Sequence, residues 1–246
     1  DAPVCVLASG GLDSTLILAL AREVSKDVIA YAAVLDADSP DAVAARRACA
    51  DLGVELREVR VVEPTEVDLV AAINAIEIPS KAQVEIAALC LPLARAIARD
   101  GFKACLSGEG ADELFGGYGN MMIRASREDD DGYRAVKREA LEKMSRGNFV
   151  RCNKAFMSAG VEVRLPYMAR AVVERAILAG KAESPPGKGL LKKAARGIVP
   201  GYVVSRPKAT FQGASGMSAR AAALVANPTR YYNAECVRAF GKIARD

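Results

Sequence analysis

A chain of 246 residues, 51% of them hydrophobic, has ample material for a packed core and fits one large domain or two small ones. No apolar run approaches the ~20 residues that span a bilayer, and no N-terminal stretch reads as a signal peptide, so a cytoplasmic protein is expected; Asp1 is no initiator, so the expected sequence is a trimmed one. A formal net charge of +4 is too mild, and the Lys and Arg residues too scattered, to call for nucleic acid.

The apolar run Val4-Cys5-Val6-Leu7 reads as a first strand, and Leu16, Ile17, Leu20, Ala21 and Val24 recur at helical spacing. Between them lies Ser9-Gly10-Gly11-Leu12-Asp13-Ser14-Thr15. In a strand, glycine loop and helix of this kind, Gly10 and Gly11 let the backbone turn and approach a ligand. Ser9, Ser14, Thr15 and the opening amides of the helix aim donors at one spot, which suits a phosphate. The same residues also fit an ordinary turn capped by Asp13 or Ser14. A Walker loop is excluded by spacing, because Gly180 lies too far from Gly187-Lys188 and Gly189 follows the lysine. The dinucleotide pattern fails as well, since Gly108-Glu109-Gly110 has Glu113 where the third glycine belongs.

Residues 28–35 read as a buried strand, 41–52 as a helix closed by Gly53, and 56–62 as a third strand. Alternating strands and helices predict an α/β fold, a parallel sheet with helices on both faces. Ligands bind at the carboxyl ends of such strands. Ser9 and Asp36 fall at those ends, and Leu7 and Val34 just before them are placed either to flank an adenine ring or to pack in the core. Residues 65–76 read as a helix and 80–99 as a longer one, apolar nearly all round and kinked at Pro92.

A short strand at 103–106 opens into Ser107-Gly108-Glu109-Gly110-Ala111-Asp112-Glu113-Leu114-Phe115-Gly116-Gly117-Tyr118. Carboxylates at 109, 112 and 113 repel one another unless a cation or donor compensates. A nucleotide's Mg²⁺ would compensate; a solvated acidic turn is the other reading. Beyond residue 120 helical patterns dominate, so the expected division is a nucleotide-binding α/β domain, 1–120, and a helical lobe, 121–246, enclosing a cleft. The acidic run 128–131 reads as solvated charge before a helix starting near Tyr133. Lys188, Lys192 and Lys193 share one helical face, and the stretch 205–217, with Gly213 and Gly216, reads as a mobile lid. The six cysteines form no C-x-x-C pair, and with no histidine in the chain a zinc site is not expected. They read as buried thiols, and proton transfer falls to Glu, Asp, Lys, Tyr or Cys.

The loop from Ser9 to Thr15 resembles that of the PP-loop ATP pyrophosphatases, which cleave ATP between its α and β phosphates. The stretch 107–118 resembles the signature of the asparagine synthetases, in their C-terminal ATP-dependent domain. Further pieces follow in that family's order: Asn153, Gly160-Val161-Glu162-Val163-Arg164-Leu165-Pro166-Tyr167, residues 188–194, and Arg206-Pro207-Lys208 with Phe211. The resemblance implies a PP-loop, adenine nucleotide alpha hydrolase-like sheet with a C-terminal helical lobe. It also implies a two-step reaction: a carboxylate, that of aspartate, attacks ATP to give an acyl-adenylate and pyrophosphate, and ammonia then displaces AMP to leave an amide. By the same resemblance Asp13 and Asp112 hold Mg²⁺, while Ser9, Gly10, Gly11, Ser14 and Thr15 bind pyrophosphate. Ser107 and Gly108 join the nucleotide site, Lys188 and Lys192 contact phosphate, Lys208 neutralises developing charge and Glu109 takes the proton from nitrogen.

Two departures qualify the resemblance. Glutamine-using members carry an N-terminal amidohydrolase domain with a nucleophilic cysteine, which these 246 residues lack. Ammonia is therefore expected free, or from a separate glutaminase, unless the chain is one piece of a longer polypeptide. The family's Pro-Phe-Leu-Asp stands here as Pro166-Tyr167-Met168-Ala169, which removes a polar residue able to cap the next helix. Three readings stay open: an asparagine-forming ligase, an amide synthetase for another acid as in the related β-lactam synthetases, and a nucleotide-binding partner subunit with little activity of its own.

Overall fold

The computed structural model describes residues 3–61, 63–207 and 216–241. Five short strands form one parallel sheet in the order β3-β2-β1-β4-β5, with β1 at Val4–Leu7, β2 at Ile29–Val34, β3 at Glu55–Arg60, β4 at Ala104–Leu106 and β5 at Glu162–Arg164. Helix α1 (Leu12–Val24) leads to β2 and α2 (Pro40–Asp51) to β3, so the chain first steps outward from β1. It then passes through α3 (Glu66–Ile76) and α4 (Lys81–Arg99) and returns on the other side of β1 as β4. That reversal makes β1/β4 the switch point, where a crevice opens at the carboxyl ends of the strands. Val6 pairs with Leu106, so the two glycine loops leave the sheet side by side.

The remaining elements are α5 (Ala111–Phe115), α6 (Gly119–Arg127), α7 (Asp130–Arg146), α8 (Asn148–Met157), a 3-10 turn at Pro166–Met168, α9 (Arg170–Leu178), α10 (Gly189–Ala195), α11 (Gly201–Ser205), α12 (Met217–Leu224) and α13 (Pro228–Phe240). One face of the sheet is covered by α3, α4, α8, α12 and α13, through Ile73, Leu89, Phe156, Met217 and Tyr232. The other is covered by α1, α5, α9, α10 and α11, through Leu16, Leu114, Ala176, Leu191 and Val203. Helix α4 is buried nearly all round, as its sequence predicts. Burying Leu89, Leu91, Leu93 and Ile97, at about 1.5–3 kcal/mol each, outweighs the ~3 kcal/mol cost of Pro92 within it.

Two features differ from the sequence expectation. The sheet takes its fifth strand, β5, from beyond residue 120, where helical patterns dominate and a helical lobe was expected. Three residues that alternate exposed, half-buried and exposed carry no strand signal of their own; pairing with β4 makes them one. Helix α7 begins at Asp130 rather than near Tyr133, because the Asp129 carboxylate caps it by accepting from Gly132 N at 2.8 Å. All six cysteines are buried and free, as expected. Among the described residues no helix is long and apolar enough to cross a membrane.

Candidate active site

The first loop carries Asp13 to the carboxyl end of β1. Gly11 caps α1 without help from any side chain, so the opening amides of the helix face the loop. Ser9 Oγ and Ser14 Oγ lie 3.0 Å apart, and Ser14 also accepts from Ser9 N at 3.2 Å. Thr15 is buried in the first helical turn. Gly10, at φ +68°, lies against the backbone of α2 at Ala44 and Ala45, so its missing side chain serves packing rather than ligand approach.

The second loop comes against the first because Gly108 has no side chain. A Cβ there would stand 2.8 Å from Ser14 N and 2.9 Å from the Asp13 carbonyl carbon. Ser107 is buried and donates its backbone N–H to Arg164 O on β5 at 3.0 Å. Asp112, in the short α5, thereby comes to the same side of the sheet end as Asp13, and one ammonium pairs with both. Lys188 joins them from 76 residues further along the chain. The amides of Gly187 and Lys188 donate to Gly116 O and Phe115 O, both at 2.9 Å, and Lys188 takes a left-handed backbone conformation, φ +68°. Its ammonium then stands 2.5 Å from Asp13 Oδ2 and 2.6 Å from Asp112 Oδ1. Burial alone would lower the Lys188 pKa, but the two aspartates outweigh it and hold it above the ordinary lysine value.

Two carboxylates meeting on one cation are hard oxygen donors. Mg²⁺ is commonly held by one or two such groups with the remaining positions left to phosphate and water, so Asp13 and Asp112 fit that ion. They do not form a cage by themselves: among the described residues no group of three or more acidic, Cys or His side chains stands ready for a metal.

Beside this pair lies a network that the motifs alone do not reveal. Glu109 Oε2 is 2.5 Å from Nη2 of Arg151, a residue only 3% exposed, and its Oε1 accepts from Asn148 Nδ2 at 2.9 Å. The same Nδ2 donates to Glu113 Oε1 at 3.0 Å, which also accepts from the Tyr118 hydroxyl at 2.7 Å. Burial pushes Glu113 up to about 7, with the charge on Glu109 adding to the rise. Cys152 Sγ lies 3.5 Å from Glu109, and burial pushes its thiol up, away from reactivity.

Not every expected residue joins the site. Leu7 and Val34 turn their side chains to opposite faces of the sheet, Leu7 against the α3/α4 cluster and Val34 against α2. The cause is pleat parity: Leu7 pairs with Tyr31, three residues from Val34, and odd offsets change face. Lys192, half-buried on α10, lines a separate cavity of about 630 Å³ with Arg196 and Val199, while Lys193 is exposed. Asn153 is exposed, and the inward positions of α8 belong to Arg151 and Cys152 instead. Ala169 caps α9 with no side-chain bond, as its sequence predicts. Lys208 and most of the expected lid lie outside the described residues.

The asparagine synthase family profile matches residues 1–142 and 124–240. A Methanocaldococcus jannaschii protein assigned as glutamine-hydrolysing asparagine synthetase 1 is 34% identical over 178 residues, 71% of this chain and 32% of that protein. Asparagine synthetase B of Escherichia coli, also named as glutamine-hydrolysing, is 28% identical over 237 residues, 89% of this chain and 42% of its own. The Asparagus officinalis enzyme of the same name is 30% identical over 179 residues, 68% of this chain and 30% of its own. The chain thus spans less than half the length of each relative, while the family profile runs through both loops and the segment that bears Lys188. This chain belongs to the asparagine synthase family.

Proposed function

We propose that this chain is an ATP-dependent, AMP-forming ligase that adenylates the side-chain carboxylate of aspartate and transfers ammonia to it. One observation carries the reading: Asp13 and Asp112, from loops at adjacent strand ends, meet on a single cation position, with Glu109 in the same loop. Nucleotide phosphates would lie over the Ser9–Thr15 loop, whose helix amides and hydroxyls match an anion. Mg²⁺ held by Asp13 and Asp112 would supply positive charge to the phosphate oxygens as pyrophosphate leaves. Lys188, and in the same role Lys208, would neutralise the rest, with Ser107 and Gly108 closing the floor.

The acceptor carboxylate is ionised at neutral pH and needs no base to attack. Ammonia gains positive charge as it attacks the acyl-adenylate, and Glu109 would take the proton it must lose. The part before residue 120 supplies the loops and the part after it supplies Asn148, Arg151 and Lys188, so the cleft would lie between them. Ammonia would arrive free, from a separate glutaminase, or from another part of a longer polypeptide.

The uncapped start of α9 at Ala169, where the family pattern has Asp, favours a second reading, in which the acceptor is another carboxylic acid. Pyrophosphate release measured across a panel of carboxylic acids, with and without ammonium, tests both. Stimulation by aspartate is the expected result, and stimulation by a different acid selects the second. No release with any acid would leave a nucleotide-binding partner subunit.

A further inference from the structure

Gln83 lies in the first turn of α4, outside every motif, yet it touches both residues that hold Glu109. Its Oε1 accepts from Arg151 Nη1 at 2.7 Å, and its Nε2 donates to Asn148 Oδ1 at 2.8 Å. The polarity of these bonds is forced. A guanidinium is permanently charged and can only donate, so Gln83 must turn its oxygen toward Arg151 and its NH₂ toward Asn148. That NH₂ can only donate, so Asn148 must offer its oxygen back, which leaves its own NH₂ facing Glu109 at 2.9 Å and Glu113 at 3.0 Å. One buried arginine thereby sets the orientation of two amides in series, and it also bonds Glu109 directly.

We propose that Gln83 is a positioning residue, relaying the donor polarity of Arg151 to Asn148 so that Glu109 is held between two donors in the geometry that receives the proton. The proposal rests on the role given to Glu109 above. Without the relay Asn148 Oδ1 loses its donor, and the two carboxylates hold the amide by its NH₂ alone. A shape-filling role for Gln83 and a relay role make opposite predictions for two substitutions. Gln83→Glu keeps the shape and the Arg151 contact but has no donor for Asn148, and it draws the Asn148 NH₂ away from Glu109. Gln83→Met removes both bonds and draws nothing.

The test measures pyrophosphate release and amide formed per pyrophosphate, with ATP, Mg²⁺, aspartate and ammonium, in the wild-type chain and both variants. The relay predicts pyrophosphate release little changed, the amide ratio down about 10- to 100-fold in Gln83→Met, and a lower ratio still in Gln83→Glu. The melting temperatures should fall in the same order, a reading that stands even if the wild-type chain releases no pyrophosphate, the result that would sink the underlying function instead. Wild-type amide ratios in both variants, or Gln83→Glu nearer to wild type than Gln83→Met in ratio or melting, would overturn the relay.

Discussion

Replacing Glu109 by Gln should separate the two half-reactions. The substitution keeps the shape and leaves an amide oxygen able to accept from Arg151, but it removes the base and the counter-charge together. A base missing from a proton-transfer step costs about 10²–10⁴ in rate, and that loss should fall on amide formation alone. The structure also predicts a stability cost, because Arg151 is only 3% exposed and would lose its ion pair. Breaking a buried pair costs about 3–5 kcal/mol. With Glu109 itself 22% exposed and one hydrogen bond kept, the low end applies, about 3 kcal/mol, or roughly 6–12 °C in melting temperature for a chain of this size. Pyrophosphate and amide should be measured in parallel, well below the variant's melting point. Pyrophosphate release that persists while the amide yield collapses is the expected outcome, with the intermediate lost to water. A fall of both half-reactions by the same factor would place Glu109 among the metal or phosphate ligands and refute this role.

Lys188→Met removes the ammonium standing 2.5 and 2.6 Å from Asp13 and Asp112, so two facing carboxylates should lower the melting temperature in metal-free buffer. Mg²⁺ should then raise it more than in the wild-type chain, and equal shifts would argue against a metal site at this pair. In Gly108→Ala the new Cβ would stand 2.8 Å from Ser14 N, backbone that cannot give way cheaply. The two loops should separate and pyrophosphate release fall about 100-fold; an unchanged rate would contradict the contact. Lys137 is buried, donates to the carbonyls of Ala176 and Ala179, and is pushed down by burial to about 8. Between that value and the ordinary ~10.4 of an unfolded chain the unfolded state binds more protons, so stability should rise with pH through this window. Denaturant titrations of Lys137→Met should lack that rise, and an equal slope in both proteins would refute the assignment.

The first strand, its glycine loop and α1 are legible because an apolar run, two glycines and a helical stripe are all local signals. The loop at 107–118 is legible for the same reason, and the family resemblance implied that Asp13 and Asp112 would hold one cation together. What the residues could not reveal is set by tertiary contact. Lys188 reaches the aspartates only through a left-handed backbone pinned to the end of α5, and β5 is a strand only because β4 pairs with it. Arg151 and Asn148 were readable in part. On α8, residues 148, 151, 152, 155 and 156 share one face at helical spacing, so polar side chains among them must be buried and partnered. Asn153, on the same helix and one of the pieces that carry the family resemblance, is turned outward. Leu7 and Val34 were chosen for their nearness to strand ends, which says nothing of which face each side chain takes.

The most direct test of the central claim follows oxygen from the acceptor acid. Aspartate labelled with ¹⁸O in its side-chain carboxylate, incubated with this chain, ATP, Mg²⁺ and ammonium, should give AMP carrying one labelled oxygen together with pyrophosphate, since the carboxylate oxygen bonded to the α-phosphorus leaves with the nucleotide. Unlabelled AMP, or ADP and phosphate as the products, would contradict acyl-adenylate formation at the Asp13–Asp112 site.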